Sequence, residues 1–235
     1  MVVVAQTNGA KNYRLARIYL HRQYIITGIV ALILLVPLLS CKQIMLALGL
    51  PADVVEYAAR YIHICIPGVI LNGFGIINSV YCNHLEGKKC ILTNGICSNL
   101  THIVVLILLL GVFDMGFDGI CITMSLSLSA RWVGSMLYMR FTSNKKITDH
   151  NTEPFFTRLT IQHLGYQVKI CLVQCMMNVW PVWGFELYTM MAGYISTTAM
   201  AAQSILRASS LLVFLFPFGI RMAALVNVGK CVGSK

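Results

Sequence analysis

Six apolar stretches, each long enough to cross a bilayer, alternate along this chain with short polar spacers. A helix rises about 1.5 Å per residue, so about 20 apolar residues cross roughly 30 Å of hydrocarbon, where the backbone must satisfy its own hydrogen bonds. The spans predicted on this basis are 24–47, 57–82, 92–113, 117–140, 166–194 and 199–225. The expected fold class is an all-α polytopic membrane protein with about six transmembrane helices. Only 11% of the residues are charged and 57% are hydrophobic, far from the soluble balance of about 25% charged.

The formal charge of +10 does not point to nucleic acid, because the cations form small clusters between apolar runs and no basic face is interleaved with aromatics. Their distribution orients the chain instead. Alternate spacers place Lys11, Arg14, Arg17, Arg22, Lys88, Lys89, Arg140, Lys145, Lys146, Arg158, Lys169, Lys230 and Lys235 on one side, against Lys42 and Arg60 on the other. Thirteen against two puts both ends of the segment in the cytosol. Cys90 and Cys231 are then expected to meet reagents from that side.

The chain also echoes its beginning at its end: Val4-Ala-Gln-Thr-Asn-Gly9-Ala-Lys11 against Val228-Gly-Lys-Cys-Val-Gly233-Ser-Lys235. Both copies fall on the same expected membrane face, each beside an apolar helix, which suggests two similar halves. The polar stretch from Phe141 to Gly165 is the expected boundary between them. Pro37, Pro67, Pro181 and Pro217 lie inside spans, where a missing backbone donor kinks a helix. Gly68, Gly73 and Gly75 would let neighbouring helices approach closely.

Little here suggests an enzyme or a cofactor. The nine cysteines include no C-x-x-C, and the six histidines show no ligand spacing such as H-E-x-x-H. Neither paired carboxylates nor a nucleophile beside a base is visible near a membrane surface. The sequon Asn99-Leu-Thr101 lies inside an apolar stretch and is not expected to carry a glycan. The first 23 residues are polar and basic, unlike a cleavable signal peptide.

The order of short motifs resembles the multidrug and toxic compound extrusion (MATE) family of transporters. Gln6-x-x-Gly9-Ala10-Lys11 with Tyr13 is similar to the Q-A-x-G-A-K-x-Y segment after that family's second helix. Leu48-Gly49, Ala58-x-x-Tyr61 and Pro67-Gly68 resemble the region from its third to its fourth helix, and Gly116-x-x-Gly119 the turn into the sixth. Trp183-Gly-Phe185-Glu186 is similar to the W-x-[FY]-E of the seventh helix in eukaryotic members, and Ala202-Gln203-Ser204-Ile205-Leu206 to the start of the eighth. Pro217-x-Gly219 and Val228-Gly229-x-x-x-Gly233 complete the series, with Lys230 where the family has Asn.

The resemblance implies part of a twelve-helix, two-lobe fold, with this chain as a partial one covering helices three to eight. Residues 1–141 would hold helices three to six of the first lobe, 142–164 the cytosolic linker, and 165–235 the first two helices of the second lobe. It implies an antiporter in the plasma or vacuolar membrane, exporting organic cations or other xenobiotics in exchange for protons or sodium. The alternatives are a truncated or degenerate paralogue that does not transport and, within the superfamily, a lipid-linked sugar flippase.

Glu186 is the one acidic residue deep in an apolar span, and an intramembrane acid is by default a functional candidate. Removing it from water disfavours its charged form, so it can exchange a proton, and the same carboxylate attracts an organic cation. The family's matching Glu is implicated in both roles. Trp180, Trp183, Phe185 and Tyr188 lie within two helical turns of it, and aromatic faces attract cations by roughly 0.5–2 kcal/mol each. Gln203 joins the candidate substrate and proton site through the resemblance. Arg207 joins it through depth: with a turn near residue 196, Glu186 and Arg207 sit equally far below it, at about 16 Å. Whether they meet depends on the rotation of each helix, which depth does not fix.

Overall fold

In the computed structural model, residues 2–49, 52–85, 87, 89–142, 147, 158–162 and 164–234 are described. They form nine α-helices: α1 (Val2–Gly9), α2 (Tyr13–Leu39), α3 (Cys41–Ala47), α4 (Ala52–His84), α5 (Lys89–Ile107), α6 (Gly116–Phe141), α7 (Arg158–Ile161), α8 (Leu164–Ile195) and α9 (Thr197–Gly233). A single π-helical turn, Leu108–Val112, extends α5. Six helical segments are long and apolar enough to cross a membrane: Tyr13–Leu39, Ala52–His84, Lys89–Val112, Gly116–Phe141, Leu164–Gly193 and Thr198–Gly233. The protein is an integral membrane protein of all-α fold.

The spans match the predicted ones in number and order, but several ends differ. The first helix starts at Tyr13 rather than 24, because Asn12 caps it by accepting from the Leu15 amide at 3.0 Å. Lys11 just before the cap has φ 55°, which separates α1 from α2. The predicted 24–47 span is broken at Ser40, which caps α2 by donating its amide to Val36 O; α3 follows as a separate short helix. At the other end, α9 continues to Gly233, beyond the predicted 225. Most of the expected linker, 142–164, lies outside the described residues. Ile147 and α7 from that stretch pack on the N-terminal half of α2 and its neighbours, where Arg22 donates to Thr160 O at 3.2 Å and Gln162 O at 2.6 Å.

Helices α2, α4, α5 and α6 form a packed bundle. Its tightest seam joins α4 and α6, which run parallel. A Cβ added at Gly68 would lie 2.6 Å from Ser125 O, and one at Gly75 would lie 2.9 Å from the Trp132 amide. The seven-residue step is the same on both helices, so the two glycines meet the facing backbone two turns apart. Gly73 makes only an ordinary contact, 3.6 Å to Thr27. Polar side chains cross-link the interior: Tyr24 donates to Asn78, Asn78 donates to Ser135 at 3.0 Å, Asn94 to Ser79 at 3.0 Å, and Arg131 to Ser98 at 3.2 Å. Near the N-terminal ends of α4 and α6, Arg60 is paired with Asp118.

The two echoed segments lie against each other. A Cβ on Gly9 would fall on Lys230 O, and one on Gly233 would fall on Gln6 O. These contacts are reciprocal, since Lys230 is the counterpart of Gln6 and Gly233 of Gly9. Gly229 faces its own counterpart Ala5, with only 2.6 Å between the Ala5 methyl and the site of an added Cβ. The ends of the described chain are thus related by a local two-fold that passes between Ala5 and Gly229.

Candidate functional site

Helices α8 and α9 form a hairpin. Its turn is a single residue, Ser196, whose hydroxyl caps α9 by accepting from the Ala199 amide at 3.0 Å. That fixes Glu186 ten residues before the turn and Arg207 eleven after it, both about 15 Å down their helices. The rotations bring them together. Arg207 Nη1 donates to Glu186 Oε2 at 2.9 Å and Nη2 donates to Oε1, a bidentate pair. Both side chains are half-buried, at 43% and 47% exposed, so neither is sealed in the manner expected from the sequence. A second bridge, from Arg221 to Asn178 at 3.1 Å, ties the helices further from the turn.

Beside the pair lies a cavity of about 160 Å³, lined by Val182, Phe185, Arg207, Ser210, Leu211 and Phe214. Its apolar wall comes from both helices and its polar groups are the guanidinium and the Ser210 hydroxyl. Among the sequence-predicted residues, the structure brings together Glu186, Arg207 and Phe185. Trp183 lies one turn from Glu186 on the same face but points outward, 65% exposed, and is not part of the cavity wall. Tyr188, two positions on from Glu186, falls on the opposite face of α8. Gln203 lies one turn before Arg207 on α9, outside the wall.

Ser210, Leu211 and Phe214 were missed in the sequence. Their signal is helical spacing: 207, 210, 211 and 214 form one stripe of α9 at steps of three, four and seven. Among the described residues no group of three or more His, Cys, Asp or Glu side chains could hold a metal ion. Cys231 is exposed as expected, whereas Cys90 is fully buried against α4. The expectation that both meet aqueous reagents is thereby corrected for Cys90.

Comparison with known proteins agrees with this architecture. The family model MatE matches residues 1–108. Multidrug and toxin extrusion protein 2 of Mus musculus is 24% identical over 99% of this chain and 40% of its own length. Multidrug and toxin extrusion protein 1 of Danio rerio is 22% identical over 99% of this chain and 39% of its own length. The chain therefore spans about 40% of the length of these relatives. The crystal structure of the eukaryotic MATE transporter AtDTX14 superposes with a TM-score of 0.87 at 18% identity, covering 99% of this chain and 52% of that one. The matched family model over residues 1–108, relatives aligned along nearly the whole of this chain and the shared fold all make the chain similar to the MATE family.

Proposed function

We propose that the chain supplies helices of both lobes of an antiporter that exports small organic molecules in exchange for protons or sodium. In this reading α1 to α6 belong to the first lobe and α8 and α9 to the second, joined by a cytosolic linker, and the two lobes alternate access to a shared path. The carrying observation is the Glu186 carboxylate about 15 Å from the turn of the α8–α9 hairpin, beside a cavity with an apolar wall. Charges are rare at that depth because hydrocarbon does not solvate them, and those present mark ion and substrate pathways.

The geometry supports a simple coupling. With Glu186 ionised, the bidentate pair closes the hairpin across the cavity. A proton delivered to Glu186 removes the carboxylate charge and releases Arg207; a substrate ammonium competes with that proton for the same two oxygens. The membrane is the plasma or vacuolar one, with both ends of the segment cytosolic by the charge asymmetry.

The test is pH-gradient-driven uptake of a fluorescent organic cation into proteoliposomes holding the chain. Glu186→Gln keeps the shape and removes the charge, and uptake is expected to fall at least about tenfold. Unchanged uptake with unchanged pH dependence would remove Glu186 from the mechanism. One observation favours a second reading: Arg207 already neutralises Glu186, as in a paralogue that keeps the fold without transport. Absence of uptake by a complete transporter containing this segment selects that reading.

A further inference from the structure

If the Glu186–Arg207 cavity is the substrate site, as proposed above, its charge balance narrows what it takes. The carboxylate and guanidinium cancel one another through two hydrogen bonds. A monocation that engages Glu186 must break that pair and leave Arg207 without its anion. The charge left behind gives up a bidentate partner, and the loss offsets much of the new attraction. A monoanion on Arg207 strands Glu186 in the same way. A molecule with both an ammonium and a carboxylate strands neither, because each half of the broken pair gains a partner.

The remaining wall agrees with a compact apolar body. Val182, Phe185, Leu211 and Phe214 supply apolar surface, and about 160 Å³ is available, close to the roughly 150 Å³ of an engineered cavity that holds benzene. We propose that this site selects zwitterions carrying a small aromatic or branched apolar group, over cations of the same body.

Three probes of one shape separate the charge classes: L-phenylalanine, its methyl ester as the cation, and N-acetyl-L-phenylalanine as the anion. Equilibrium binding is measured on the 235-residue chain in lipid nanodiscs at about pH 6, where the amine of the ester is largely protonated. L-Phenylalanine is expected to bind at least about tenfold tighter than either analogue. Arg207→Leu is expected to reverse the order, with the ester ahead of L-phenylalanine. The double variant Glu186→Arg with Arg207→Glu rebuilds the pair in the opposite sense and is expected to retain the zwitterion preference, whether or not Arg207→Leu folds. An ester that binds the unsubstituted chain as tightly as L-phenylalanine, or more tightly, overturns the zwitterion preference and leaves cation export standing. Binding of none of the three overturns both the preference and the site.

Discussion

The α2–α4–α5–α6 bundle and the α8–α9 hairpin are nearly alike in composition and unlike in construction. In the most apolar stretch of α4, 39% of residues are buried, against none in those of α8 and α9. The bundle is held by contacts that tolerate no added atoms, Gly68 on Ser125 and Gly75 on Trp132, and by the Tyr24–Asn78–Ser135 chain. The hairpin is held by a capped turn and two polar bridges that flank a cavity. Apolarity admits both to the membrane, but it does not stabilise one helix against another there, since lipid tails are as apolar as leucine. Close backbone approach and internal hydrogen bonds do that in the bundle, while the hairpin places its charges beside a cavity.

Leucine at glycine positions is the strongest way to break this contrast. Gly68→Leu would drive its side chain into the α6 backbone and is expected to abolish the monodisperse folded species on size-exclusion chromatography in detergent. Gly219→Leu in α9, where nothing lies within 4 Å, is expected to leave that profile unchanged. Equal outcomes would mean that the two regions are not differently packed. Thiol reactivity is the next largest difference. Cys82 and Cys90 are fully buried in the bundle, whereas Cys231 near the end of α9 is exposed. Mass spectrometry after maleimide treatment should show Cys231 labelled at least about a hundredfold faster, because the buried pair reacts only through local opening.

A smaller effect is expected at Asn78. Replacing it with Leu removes its bonds to Tyr24 and Ser135 and should lower thermal stability in detergent by about 1–2 kcal/mol, in the upper range for interhelical bonds in membranes. Smallest of all is the stability effect of Arg207→Leu. The pair is half solvent-accessible, so the loss should stay below about 1 kcal/mol even as ligand preference inverts. A larger loss at Arg207 than at Asn78 would show that the hairpin depends on its ion pair for stability.

The number and order of the spans were legible because each apolar run exceeds a bilayer's thickness. Their ends were less so. Arg14, Arg17, His21 and Arg22 made the start of α2 read as a polar tail, yet they lie on the N-terminal half of one continuous helix where Arg22 finds the Thr160 and Gln162 carbonyls. The Ser40 break has no strong sequence mark beyond the neighbouring Pro37. Close approach at Gly68 and Gly75 could be read directly from residue size. The partners of Asn78 and Asn94 could not, since they depend on how each helix is turned toward its neighbours. The same limit explains the site: equal depth of Glu186 and Arg207 followed from counting residues, and contact from rotations that counting leaves open. Nearness in sequence suggested an aromatic cage around Glu186, but helical geometry sends Tyr188 to the far face and supplies Phe214 from α9 instead.

The place where Ala5 meets Gly229 has the geometry of a fulcrum. Points on a local two-fold stay still when the two sides rotate oppositely about an axis through them, while points further along each helix sweep an arc. Arg207 lies 22 residues from Gly229 on the same helix, about 33 Å away. A tilt of only about 10° there, modest beside known subunit rotations, would carry the guanidinium roughly 6 Å while barely disturbing the glycine contact. The small residues Ala5 and Gly229 would thus make a short repeat the pivot of a lever whose long arm ends at the charged cavity.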